Sequence, residues 1–243
     1  MKKIILIIII FLVLVLSTAG VLLHCGVIWF NNPSIEEYPV RGVDVSSYQG
    51  IIDWEKLATQ NISFAFIKAT EGSSYIDPYY YNNYENALKT DIKIGSYHFF
   101  SFESSGEKQA ENFISVCAKT KNMLPPVVDI EYYGDYNGKS PDVNLVQSNL
   151  KELIEKLENH YGVKPIIYAT QRSYKKYISG SFLEYDVWIR DVYTKASLND
   201  GRDWTFWQYS HKGKLAGYDG EEKFIDMNVF NGTKEEFDDY MEQ

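Results

Sequence analysis

Four acidic residues close short apolar runs, and two of them are spaced to act together. Val127-Val128-Asp129-Ile130-Glu131 sets two carboxyls two residues apart, Asp44 follows Gly42-Val43, and Asp226 follows Phe224-Ile225. On an extended strand, residues two apart face the same side. Two carboxyls on one face repel when both are ionised, so one is pushed toward its protonated form while the other stays charged. An acid beside a carboxylate suits cleavage of a glycosidic bond: one protonates the leaving oxygen and the other supports positive charge at the anomeric carbon. A single Asp-x-Glu at a solvated strand end would carry little weight. Four acids at four run ends point to a site.

Other residues add to that chemistry or compete with it. Tyr97, Tyr133, Tyr168 and Trp188 stand at or just past strand ends, where flat rings could stack on sugar faces; filling a core is the competing role. His98 could join Asp44 and Asp129 around a metal, but no second histidine lies at ligand spacing, so no metal and no cofactor is expected. Ser46 and Ser47 lack a G-x-S-x-G setting. Cys117 follows Ala110, Phe113 and Ile114 at helical spacing and reads as a buried core thiol, so nucleophilic triad chemistry is not expected.

The elements that must position these residues alternate along the chain. Strands are expected at Val43–Val45, Phe64–Ala69, Lys93–Phe100, Pro126–Ile130, Pro165–Ala169, Asp186–Ile189, Thr205–Tyr209 and Phe224–Val229. Helices are expected from Asp53 to Leu57, from Asp77-Pro78 to Leu88, from a Ser104–Glu107 capping box to about Thr120, and from Lys234 to Glu242. Val146, Leu150, Leu153, Ile154, Leu157 and Tyr161 mark the strongest helix, which Gly162 ends. Repeated strand–helix units imply parallel pairing with right-handed crossovers. Eight strands in roughly 200 residues suggest an α/β barrel of TIM type whose later helices are reduced; acids at strand C-termini would then line its mouth.

The 243 residues divide unevenly. Lys2 and Lys3 precede a 20-residue apolar run, Ile4 to Leu23, and no charged side chain occurs again before Glu36. As a helix the run spans about 30 Å, a bilayer core. It exceeds a signal-peptide core and lacks an A-x-A cleavage site, so residues 1–30 are expected to be a membrane anchor rather than a cleaved signal. The lysines favour a cytoplasmic N-terminus, and the rest of the chain is expected outside, with Trp29 and Phe30 at the outer interface. Residues 31–39 read as a polar linker and 40–243 as the barrel. The net charge of −9 becomes −11 without the anchor, which argues against nucleic-acid binding. The two cysteines provide no disulfide framework.

Seven segments, in order, resemble the motifs of the glycoside hydrolase family 25 lysozymes. These are Arg41–Gly50 (RGVDVSSYQG), Phe64–Gly72 (FAFIKATEG), Gly95–Phe100 (GSYHFF), Val127–Glu131 (VVDIE), Ile167-Tyr168, Trp207-Gln208-Tyr209 and Asp226-Met227-Asn228. The resemblance implies a (β/α)5(β)3 barrel and cleavage of the β-1,4 bond between N-acetylmuramic acid and N-acetylglucosamine in peptidoglycan. It implies Glu131 as general acid, Asp129 as the group that stabilises or orients the reacting sugar, and Asp44 and Asp226 completing an acidic ring, with Gln208 joining the aromatic residues in binding substrate. One departure is Arg190, where the family usually has a small residue after Trp188-Ile189. The expected whole is a monomeric muramidase held at the cell membrane by a single span, facing peptidoglycan glycan strands outside. A non-catalytic wall-binding barrel and a metal-dependent deacetylase using Asp44, His98 and Asp129 are the competing readings.

Overall fold

The computed structural model describes residues 2–119 and 123–242. It opens with α1 (Lys2–His24), none of whose residues is buried against the rest of the chain. Its many Ile and Val residues are mediocre helix formers in water. In hydrocarbon, a helix is the single-segment structure that satisfies its own backbone donors and acceptors. By length and composition α1 could cross a membrane.

The barrel is built from β1 (Arg41–Val45), β2 (Phe64–Glu71), β4 (Lys93–Phe99), β5 (Val127–Ile130), β6 (Ile166–Thr170), β7 (Val187–Arg190), β8 (Phe206–Gly213) and β9 (Ile225–Phe230). A two-residue β3 (Tyr75–Ile76) pairs antiparallel with the end of β2. The pairing order β1-β9-β8-β7-β6-β5-β4-β2 closes through a parallel β1–β2 contact. Six of the pairings are parallel, whereas β9 runs antiparallel to both β8 and β1. Helices α2 (Trp54–Ala58), α3 (Tyr80–Ala87), α4 (Gly106–Val116) and α5 (Val143–Tyr161) follow the first four barrel strands. A short α6 (Gln171–Ser173), continued by a wide turn to Ile178, follows β6. No helix separates the last three strands, and α7 (Lys234–Met241) ends the chain. This is the expected (β/α)5(β)3 plan.

Alternate residues on each strand point inward, and they sort by height. Phe64, Val127, Ile166, Phe206 and Phe230 fill one end of the barrel, with Phe237 of α7 packed beneath them. Phe66 and Trp188 stack one level higher, with centroids 4.5 Å apart. Gly42 and Gly95 are required there, because a methyl group on either would overlap the rings of Phe64 or Phe66. Above this layer the inward positions become Asp44, Lys68, Asp129, Arg190 and Gln208. A second apolar layer lies between the strands and the helices, where Leu150, Leu153, Ile154 and Leu157 of α5 are fully buried.

Several local expectations shift. The Ser104–Glu107 box does not form: Ser105 caps α4 by accepting from the Lys108 amide, while Glu107 turns to Lys156 of α5 at 2.8 Å. Helix α4 ends at Val116 with Cys117 as its buried cap, and Thr120, where it was expected to end, lies outside the described residues. Helix α3 begins after the Asp77-Pro78-Tyr79 turn rather than at Pro78. Gly162 ends α5 as expected, left-handed at φ 77°. Residues 31–39 do not form a free linker. Tyr38 is buried between Trp204 and Trp207, Glu37 pairs with Lys195 at 2.6 Å, and Arg41 bonds the Pro33 carbonyl.

Candidate active site

A cavity of about 500 Å³ opens at the C-terminal end of the parallel strands, and all four expected acids line it. Asp129 arrives from β5 and Glu131 from the residue just past its end, both on the cavity side as their spacing required. Asp226 arrives differently. The expectation placed it at the end of a parallel strand, but it stands near the start of β9. Because β9 is reversed, that start lies at the same rim, directly across from Asp44 in the β1–β9 register.

Asp44 is buried and held by two amides. Gln208 Nε2 and Asn228 Nδ2 each donate to its Oδ2 at 2.8 Å. The carbonyl ends of those amides are occupied in turn: Tyr168 donates to Gln208 Oε1 at 3.1 Å and the Trp188 indole donates to Asn228 Oδ1 at 2.8 Å. Each amide is therefore fixed in the orientation that aims its N–H at Asp44. Burial raises the Asp44 pKa, and the two amides and Arg190 oppose that rise. Asp226 is pushed well up by burial and by the Asp44 charge.

Asp129 lies deeper than Glu131 and is pushed well above the usual carboxylate range, first by burial and then by the charge of Glu131. Its Oδ1 is buried without a hydrogen-bond partner among the described residues. Glu131 is also raised, by burial and by Asp44, while Arg190 and Lys68 pull it back. Lys68, two residues from Phe66 on β2, reaches the cleft with its Nζ 2.7 Å from Glu71 and 4.8 Å from the Phe99 ring centroid. The carboxyls thus hold protons more tightly than free acids, and two cations restrain the effect on Glu131.

The expected ring contacts divide. Tyr97, Tyr168 and Trp188 line the cavity but are buried, with Trp188 covered on one face by Phe66, so they form its floor rather than stacking platforms. Tyr133 does not reach the cavity. It stacks on Phe102, with rings 11° from parallel, and accepts from the Phe102 amide. Its neighbour Tyr132 lines the cleft instead, with the Arg172 guanidinium 3.8 Å from its ring centroid. Tyr48 lines the cleft as an exposed ring. The sequence reading passed over Lys68, Tyr48, Tyr132 and Asn228; strand parity alone would have placed Lys68 and Asn228 on inward faces.

His98 cannot join Asp44 and Asp129. It sits on the opposite face of β4 from Tyr97, where Thr70 Oγ1 meets Nδ1 at 2.7 Å and Gln109 Oε1 meets Nε2 at 3.1 Å. Both ring nitrogens are spent on structure, and burial lowers the imidazole pKa to about 4. The deacetylase reading loses its metal ligand by this geometry. Among the described residues no group of three His, Cys, Asp or Glu side chains is placed to hold an ion.

Comparison with known proteins agrees with this geometry. A family model described as glycosyl hydrolases family 25 matches residues 43–218, a span that includes Asp44, Asp129 and Glu131 and stops short of Asp226. A solved family 25 glycosyl hydrolase from Bacillus anthracis is 52% identical with a TM-score of 0.83, over 88% of this chain and 97% of that one. Lysozyme M1 of Streptomyces globisporus is 33% identical over 80% of this chain and 68% of its own length. The uncharacterised protein YegX of Escherichia coli K12 is 34% identical over 84% of this chain and 74% of its own.

Proposed function

The chain belongs to glycosyl hydrolase family 25, and from that premise we propose that it is an N-acetylmuramidase cutting the β-1,4 bond between N-acetylmuramic acid and N-acetylglucosamine in peptidoglycan. The observation that carries this reading is the Asp129–Glu131 pair, two carboxyls raised by burial on one side of the β5 end in a cavity of about 500 Å³. Glu131, nearer the opening, gives its proton to the leaving glycosidic oxygen. Asp129 keeps an unbonded oxygen for the reacting sugar, as acceptor for an acetamido N–H. That contact favours the Asp129 anion and leaves the shared proton on Glu131. Asp44, fixed by Gln208 and Asn228, and Asp226 complete the negative wall that stabilises positive charge on the ring. A module that only bound glycan would have no use for carboxyls held in a buried, destabilising setting.

The catalytic domain works outside the cytoplasm, where its substrate lies, and α1 is retained as a single-span anchor. The contacts of residues 26–38 with the barrel support retention, since cleavage within the first 30 residues would discard part of them. Mass spectrometry of muropeptides released from sacculi tests the activity. Muramic acid is expected at the new reducing ends, and Glu131→Gln is expected to lower the rate roughly 10²–10⁴-fold. An unchanged rate in that variant would remove Glu131 from its role.

A further inference from the structure

The helix that could cross the membrane does not lead into a tether. Two residues after His24 the chain is already against the barrel. Gly26, left-handed at φ 59°, lies so close that a Cβ there would stand 2.9 Å from the Phe224 ring and 3.1 Å from the Lys212 carbonyl. The Trp29 indole meets the His211 ring edge-on, with centroids 4.7 Å apart, and Phe30 packs on Tyr193 at 5.4 Å. The Asn31 amide donates to the carbonyls of Asp191 at 2.9 Å, Thr194 at 3.0 Å and Tyr209 at 3.4 Å. These partners lie at or just past the cleft ends of β7 and β8. His211 and Phe224 also line a second cavity, of about 230 Å³, that shares Asp44, Arg190 and Asp226 with the catalytic one. The exit of α1 and the catalytic carboxyls therefore stand on two sides of one wall.

Around that exit the surface is apolar. Val27, Ile28, Phe30 and Tyr193 are each at least 45% exposed. Scattered apolar side chains are ordinary, whereas a cluster continuous with a membrane-length helix marks a contact surface. Lys212 and Lys214 border it, their ammonium groups 4.3 and 5.8 Å from the Phe224 ring centroid. Aromatic rings at the interface and lysines reaching headgroup phosphates are what a lipid surface selects. Acidic residues stand close by as well, with Glu222 lining the second cavity beside His211 and Phe224 and its amide tied to the Tyr48 carbonyl.

We infer that Val27, Ile28, Phe30, Tyr193, Lys212 and Lys214 form a membrane-contact surface that seats the barrel on the outer leaflet of the bilayer crossed by α1, with the His211 end of the cleft facing the lipid. The inference rests on the reading that α1 is retained. Its consequence for substrate is direct: the glycan reaching Glu131 is the strand lying along the membrane, not one deep in the wall.

The test uses the full chain reconstituted in vesicles of phosphatidylcholine and phosphatidylglycerol in equal parts. With Cys25→Ser removing the exposed native thiol, a fluorophore is placed at Tyr193→Cys or, as control, at Asp238→Cys on α7 at the far end of the barrel. Lipids carrying a nitroxide on the acyl chain serve as quencher. Quenching at position 193 is expected to exceed that at 238 several-fold. A flexible Gly-Ser segment of about ten residues inserted between His24 and Cys25 frees the barrel by about 17 Å; a surface that binds lipid by itself should keep most of the difference, and Phe30→Asp with Lys212→Glu added to that chain should bring the two positions level. Equal quenching in the uninterrupted chain, or a difference that the insert alone abolishes, would overturn the inference. Because quenching needs no catalysis, loss of muramidase activity with the expected quenching would instead count against the enzymatic reading.

Discussion

Asp44 shows how this site manages charge. It is buried, which favours the protonated form, yet it accepts two amide N–H groups whose orientations are fixed by Tyr168 and Trp188. Asp129 has no such help, and the consequence for stability can be signed. Its folded pKa lies above the unfolded value of about 3.9, so between the two the folded state binds more protons and stability falls as pH rises. Asp129→Asn removes that penalty. At pH 7 the variant is expected to be inactive and yet to melt higher, by about 2–4 °C for each ~1 kcal/mol relieved. The gain should shrink as pH falls through about 4 and vanish below about pH 3, where wild-type Asp129 is protonated in both states. Calorimetry across that pH range checks both magnitude and slope. A variant less stable than wild type at pH 7 would show that the Asp129 charge is better solvated than its burial indicates.

Among the elements, β9 carries the most consequence. Its reversal closes the barrel and returns Asp226 to the rim opposite Asp44. The α4–α5 contact shows how tightly the outer layer is built. A methyl group at Gly106 would overlap the Asn149 carbonyl and stand 2.8 Å from the Leu153 amide, both backbone atoms of α5. In an exposed helix, Gly→Ala gains up to about 1 kcal/mol. Here the neighbours cannot yield by rotating a side chain, so overpacking prevails. Gly106→Ala is expected to cost about 1–3 kcal/mol, measured as a lower denaturant midpoint at unchanged slope. The same crowding explains why a capping box was legible yet absent: Glu107 is drawn to Lys156 and its amide to Glu152, so Ser105 alone caps the helix.

At the scale of the molecule, residues 26–38 form a strap that packs the end of α1 onto the barrel. Tyr38 fills a slot between Trp204 and Trp207, and Asn31 spends its amide on three carbonyls. Burial of the ring is worth ~2 kcal/mol and each hydrogen bond ~1 kcal/mol. A chain beginning at residue 39 should therefore melt about 10–20 °C below one beginning at residue 26, although both keep every residue of the cleft. Equal melting temperatures would mean that the strap adds nothing to the barrel.

What the sequence determined by itself is what depends on near neighbours. Strand parity put Asp129 and Glu131 on one face, α5 declared itself by its apolar stripe and Gly162, and the run from Ile4 to Leu23 marked a membrane-length helix. The ordered motifs named the barrel and its acids. Tertiary structure decided what depends on groups far apart in the chain. Gln208 and Asn228 lie more than 160 residues from the carboxylate they hold, Trp188 became floor because Phe66 covers it, and Tyr133 gave way to Tyr132 where the chain turns after β5. The polar run from Asn31 to Pro39 looked like a linker because its partners, Asp191, Trp204 and Tyr209, are distant in sequence. Periodicity records which face of an element is buried; closure of the barrel decides what that face meets.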